Sequence, residues 1–181
     1  MNKQTGLTLI EMLISLAILA IVITAVSPSI QSMLIKNRIV SEINELSAVI
    51  QFARNNAIDQ QITTTVCPSA DYSACSNNWN NPKMVFVDSD GNGSRADNEE
   101  LLASSGPVSA NNVLTSGANL LQFAPGGEAS VSTTLLLCNA NRQAEFARAL
   151  NVTLQGRVKM SGDSDRNGVH EDASGNPLSC N

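Results

Sequence analysis

From Leu7 to Ile30 this chain carries a single charged residue, Glu11, in a run of side chains that stays apolar to about Val26. Roughly 20 apolar residues are enough to cross a bilayer as a helix. A carboxylate inside such a run costs at least a few kcal/mol, so Glu11 needs a partner or a function. Residues 1–5 form a polar leader whose one positive charge is Lys3. An ordinary secretory signal differs: several positive charges, a shorter apolar stretch, then a small-x-small cleavage site. Here the charge is thin, no convincing site follows Ala25, and the carboxylate interrupts the apolar run.

The residues Gly6-Leu7-Thr8-Leu9-Ile10-Glu11 resemble the type IV prepilin signal. That resemblance implies that a prepilin peptidase removes residues 1–6 by cutting between Gly6 and Leu7. Glu11 then becomes the fifth residue of the mature chain. Leu7 stands where Phe is usual, which keeps the hydrophobic character. In a filament of stacked helices, Glu11 then pairs with the free amine of Leu7 on a neighbouring subunit. A subunit out of register leaves both charges unpaired, so the pair sets axial position.

With 181 residues, 43% of them hydrophobic, there is material for one globular domain beyond the apolar segment. A net charge of -5 and 3% aromatic residues argue against a generally nucleic-acid-binding surface. The four cysteines, Cys67, Cys75, Cys138 and Cys180, all follow the apolar segment, and an even count in an exported head reads as two disulfides. Three pairings are open. Cys67 with Cys75 and Cys138 with Cys180 is favoured because a short loop closes easily and the long one ties down the tail. Loop-closure entropy puts these links at about 2.5 and about 4 kcal/mol. Zinc is the competing reading, but there is no Cys-x-x-Cys, and His170 is the one histidine.

Beyond Pro28, where a kink or loosening is expected, the pattern turns amphipathic. Ile35, Ile39, Ile43, Leu46, Ile50, Ala53 and Ala57 recur at steps of three and four, with Lys36, Arg38, Glu42, Glu45, Arg54 and Asp59 opposite. The stripe reads as a core face beneath a sheet. From about Ile62 short β-like runs alternate with turns: 62–66, 83–87, 119–123, 131–137, and 146–154 continuing to 160. The expected fold is α+β, a long N-terminal helix packed against an antiparallel β-sheet head. Its expected divisions are a leader at 1–6, an apolar helix half at 7–29, an amphipathic half at 30–60 and a β-rich head at 61–181.

Further residues extend the resemblance over nearly the whole chain. Ala53-Arg54-Asn55-Asn56-Ala57-Ile58, Val66-Cys67, Trp79 and Met84-Val85-Phe86-Val87-Asp88 come in an order similar to that of the GspH/FimT family. Leu121-Gln122-Phe123 with Gly127, Leu137-Cys138 and Gln155-Gly156-Arg157 continue it. The family includes minor pilins of type IV pili and pseudopilins of type II secretion. The resemblance therefore implies a pilin-like fold and a subunit held once in the inner membrane with a periplasmic head, then moved into a filament, near its tip. Its implied partners are other minor pilins, the major pilin, the prepilin peptidase and the inner-membrane assembly platform. The implied role is priming type IV pilus assembly in support of twitching motility, adhesion or DNA uptake. A type II secretion pseudopilin and a DNA-binding pilin for natural transformation are the alternatives.

One loop has the spacing of a twelve-residue calcium site: Asp88, Asp90 and Asn92 at positions 1, 3 and 5, Gly93 at 6, the Ser94 carbonyl at 7, and Glu99 at 12. Calcium takes six to eight oxygens, and the glycine turn lets alternate residues converge. The competing reading is an acidic hairpin connection, because a strand rather than a helix precedes it. A partial copy follows at Asp163, Asp165, Asn167 and Gly168, with Ser174, a poor ligand, at position 12. Arg157 and Lys159 form a possible anion-binding pair, resembling a Gly-Arg-x-Arg that some family members carry and that is implicated in DNA capture. Here Asp163, Asp165, Glu171 and Asp172 follow within reach of a Debye length of about 8 Å, which favours a plain exposed strand face. No catalytic site is read: His170 sits in an acidic loop, Ser104-Ser105-Gly106 lacks a nucleophile elbow, and Pro125-Gly126-Gly127 lacks a phosphate-loop lysine.

Overall fold

The structure, a computed structural model, describes Gly6 and residues 8–180. Leu7 and residues 1–5, expected to span the cleavage point and leader, lie outside the described residues.

Helix α1, Leu9–Gln60, opens behind Thr8, whose hydroxyl accepts from the Glu11 N–H at 3.3 Å while its carbonyl accepts from Met12 N. The few hydroxyls in the apolar part fold back on the helix. Ser15 donates to the Glu11 carbonyl at 2.7 Å and Thr24 to the Ile21 carbonyl at 2.9 Å, so neither needs an outside partner in an apolar medium. The helix continues through position 28, so the loosening expected at Pro28 does not interrupt it. It ends where Gln61 takes a left-handed conformation, φ 54°, and its side chain donates to the Ile58 carbonyl.

The chain falls into two compact units, one ending at Asn37 and one beginning at Arg38. In the first, every large apolar side chain from Leu9 to Leu34 is exposed. In the second, the stripe read from sequence is the floor of the core: Ile39, Ile43, Leu46, Ile50, Ala53 and Ala57 are all buried.

Among the described residues, eight strands complete the head: β1 Thr64–Pro68, β2 Lys83–Val87, β3 Leu101–Ser105, β4 Asn112–Ser116, β5 Leu121–Phe123, β6 Thr133–Asn139, β7 Arg148–Val152 and β8 Val158–Met160. They form two antiparallel four-stranded sheets, β3-β2-β1-β5 and β4-β6-β7-β8, where the sequence suggested one. The run expected to continue from 146 to 160 is instead a 3-10 turn, Ala144–Phe146, followed by the β7–β8 hairpin. Its bend is closed by Gly156 N donating to the Thr153 carbonyl at 2.8 Å, with Gly156 at φ 71°.

Both sheets have a small apolar cluster built around a disulfide. Cys67–Cys75 lies with Met84 and Phe86, and Cys138–Cys180 with Ala147, Ala149 and Leu178. Trp79 bridges two loops, its indole N–H donating to the Ala118 carbonyl at 2.7 Å.

Candidate functional site

Three places in the molecule hold the residues singled out by sequence. The first is the start of α1. Gly6 has no heavy atom near the position a Cβ would take, and Glu11 is exposed in the first turn, where a carboxylate also suits the positive end of the helix dipole. The apolar surface that follows has no partner within the described chain, so its side chains are available to lipid or to other helices.

The second place is where the helix meets the head. Arg54 Nε donates to the Gly127 carbonyl at 2.9 Å, and its guanidinium reaches the Gln155 carbonyl at 3.4 Å. Gly156 packs so closely against Gly127 and Arg54 that a side chain there has no room. Asn56 accepts from the Thr64 hydroxyl at 3.1 Å, joining the end of α1 to β1. More than three turns earlier on α1, Glu42 accepts from Asn112 Nδ2 at 2.9 Å and from Ser109 N at 3.2 Å. Lys83, buried on β2, faces the same region; burial lowers its amine to about 8 although Glu45 and Glu42 favour its charge. These polar residues fix the helix against the head, a role that sequence reading did not assign to Glu42, Lys83 or Arg54.

The third place is a pair of acidic loops. In the first, which links β2 to β3, Asp88 is fully buried, and its Oδ2 accepts from Thr65 Oγ1 at 2.7 Å, Gln122 Nε2 at 2.8 Å and Gly93 N at 3.0 Å. Asp90 accepts from Asn92 N at 3.1 Å and Nδ2 at 2.7 Å; Asn92 Oδ1 accepts from Ser94 N at 2.7 Å. Glu99 accepts from Ser89 N at 2.7 Å and Ala96 N at 2.9 Å. Oxygens of Asp88, Asp90 and Glu99 lie within 4.8 Å of one another.

The second loop follows β8. Asp163 accepts from Gly168 N at 3.0 Å, Asp165 from Asn167 N at 3.1 Å and Nδ2 at 2.8 Å, and Asn167 Oδ1 from Val169 N at 2.8 Å. The carboxylate that closes this loop is Glu171, which accepts from Ser164 N at 2.8 Å and lies with Asp163 and Asp165 inside 4.8 Å. Ser174, counted as the twelfth position from sequence, is replaced in that role by Glu171. Its carboxyl is held below the usual range, chiefly by the Ser164 N–H.

Arg157 and Lys159 are both exposed, and both line a shallow surface depression with Ser164, Glu171 and Asp172. The two cations and two carboxylates thus share one surface. His170 Nδ1 lies 2.9 Å from the Ser161 carbonyl and 3.0 Å from its hydroxyl. Burial pushes its pKa down, Arg148 adds to that, and Ser161, Asp163 and Glu171 oppose it.

Comparison with known proteins gives a consistent fold. The model of the family described as type II transport protein GspH matches residues 42–156, and the prokaryotic N-terminal methylation motif matches residues 1–27. No curated protein matches the chain. Among solved structures, the type IV minor pilin FimU of Pseudomonas aeruginosa is similar with a TM-score of 0.59 and 22% identity, over 80% of this chain and 96% of that one. A second crystal form of FimU gives 0.54 and 20%, over 78% and 98%. The minor pseudopilin EpsH from the type II secretion system of Vibrio cholerae gives 0.50 and 9%, over 69% and 96%. The family and these neighbours are pilins and pseudopilins, structural subunits rather than enzymes.

Proposed function

Since this chain belongs to the GspH family, we propose that it is a minor pilin that takes part in priming a type IV pilus. The observation that carries the proposal is the exposed apolar surface of α1 from Leu9 to Leu34, headed by the lone carboxylate of Glu11. In this reading the prepilin peptidase cuts after Gly6, the helix waits in the inner membrane with the head in the periplasm, and the assembly platform extracts it. Packing against the major pilin and other minor pilins replaces lipid around the apolar side chains. Glu11 then meets the free amine of Leu7 on a neighbour, because an unpaired charge in that medium is costly. Its place in this reading is a complex of minor pilins at the filament tip.

The test is surface pili per cell in a strain lacking the gene, complemented with wild type or with Glu11→Ala. Pili restored by wild type and not by Glu11→Ala are expected. Normal piliation in the deletion strain overturns the proposal.

A second reading, a type II secretion pseudopilin, is favoured by the description of the matching family. Loss of exported enzymes from the medium with pili intact selects it. The DNA-binding alternative draws less support, since Glu171 and Asp172 share the surface of Arg157 and Lys159.

A further inference from the structure

Two loops in different parts of the head share one hydrogen-bonded skeleton. In each, the glycine at the sixth position donates to the first Asp, at 3.0 Å in both. In each, the Asn at the fifth position folds onto the Asp at the third, and accepts from the N–H two residues on. The residue after the first Asp donates to a glutamate, Ser89 to Glu99 and Ser164 to Glu171. That glutamate comes from the twelfth position in one loop and the ninth in the other, so different chain paths bring the same group to the same place. Left-handed residues match as well: Gly91 and Gly93 in the first loop, Arg166 and Gly168 in the second.

A turn exposed to water needs none of this, and two buried oxygens point further. Asp88 is 0% exposed; Oδ2 takes three donors, whereas Oδ1 has no hydrogen-bond partner. Glu171 is 8% exposed; Oε2 takes the Ser164 N–H, and Oε1 has no partner. Buried acceptors left unpaired are costly, and three carboxylates within 4.8 Å repel one another. The Arg148 guanidinium acts electrostatically on Asp163, but it leaves Glu171 Oε1 and Asp88 Oδ1 without a partner. A bound cation removes both penalties at once.

We propose that the two loops are a matched pair of calcium sites, one formed by Asp88, Asp90 and Glu99 and the other by Asp163, Asp165 and Glu171. The donors are all hard oxygens, and the carbonyls of Ser94 and Val169 at the seventh positions extend the set. Irregular loops of this kind suit the larger, geometrically tolerant calcium ion, whereas magnesium demands near-octahedral ligands and keeps its waters. The assignment holds whether the chain serves a pilus or a secretion system. The second loop lies beyond residue 156, outside the region that the family model matches, so the assignment there rests on this chain's own residues.

The test uses the full chain in detergent, stripped with chelator and dialysed against radioactive calcium. Two ions per chain are expected, falling to one in Asp90→Asn or Asp165→Asn and to none in the double variant. Melting temperature rises by at least about 5 °C from chelator to calcium at a hundredfold excess over Kd. In chelator, Asp90→Asn melts no lower than wild type, since removing one of three clustered charges relieves repulsion; a purely structural role for Asp90 predicts a loss instead. Fewer than two ions on wild type, or an equal rise with magnesium, overturns the proposal. The count on wild type decides the matter even if a variant misfolds.

Discussion

The two stretches of α1 are equally helical and both rich in isoleucine and leucine, yet one exposes its apolar side chains and the other buries them. Before Asn37 the apolar residues surround the helix, and all the large ones from Leu9 to Leu34 are open. After Arg38 most of them narrow to one stripe, from Ile39 to Ala57, that closes the core of the head, and of the large ones only Val40, Phe52 and Ile58 stay exposed. The difference teaches that the periodicity of apolar residues, rather than their number, decides whether a helix completes its own fold or waits for another molecule. A helix apolar on every side cannot satisfy itself within one small head.

Exchanging the character of single positions tests that contrast, and the largest effect belongs to the buried stretch. Ile50→Ala, at a fully buried position, costs about 3 kcal/mol of head stability, read as a lower urea midpoint with unchanged slope. An equal loss from Ile14→Ala breaks the comparison.

A middle-sized effect comes from the charge lodged beside the buried stretch. Lys83 has its amine lowered from 10.5 to about 8, so the unfolded chain holds the proton more tightly than the folded one between those values. Stability from this group therefore rises as pH climbs from about 8 toward 10.5. Lys83→Met is expected to be the more stable form at pH 7, and wild type to regain up to about 1 kcal/mol on it by pH 10, partial screening by solvent leaving only part of the shift. A gap that stays constant across that range removes desolvation as the cause.

The smallest effect on stability, and the sharpest contrast, is expected in the open stretch. Ile14→Ala changes the melting of the head by less than about 0.5 kcal/mol, yet reduces incorporation into filaments. A melting curve displaced as far as that of Ile50→Ala would show that the first stretch supports the head after all.

Much of this was readable in the residues themselves. The stripe from Ile39 to Ala57 and the strand at Lys83–Val87 follow from periodicity and β-branched content, which are local signals. The strands that escaped, β3 and β4, each lie at the edge of a sheet, are half exposed, and carry serine, asparagine and threonine among few large apolar residues. Edge strands draw their identity from a neighbour, which no short window contains. The hairpin within 146–160 is hidden from a local reading because its bend rests on Gly156 alone, with no paired turn residues such as Asn-Gly to mark it. Glu171 escaped because counting to twelve presumes one loop length, whereas the chain returns the carboxylate after nine. The anchoring of α1 by Arg54 and Glu42 depends on contacts 67 to 101 residues apart in sequence, and the two-sheet division on pairings such as β1 with β5 that skip the strands between them.

The separations of the two disulfides, 8 and 42 residues, also carry information about time. During synthesis Cys67 and Cys75 both emerge before Cys138 exists, so an oxidant acting in order of appearance joins them while no rival thiol is present. Cys138 then waits until β7, β8 and the second acidic loop have been made, and Cys180 is the only thiol left to meet it. Thiol exchange scrambles links where several free thiols coexist. Where oxidation keeps pace with emergence, the arrangement along the chain spares the head that hazard: the order of appearance then does the work of a proofreader.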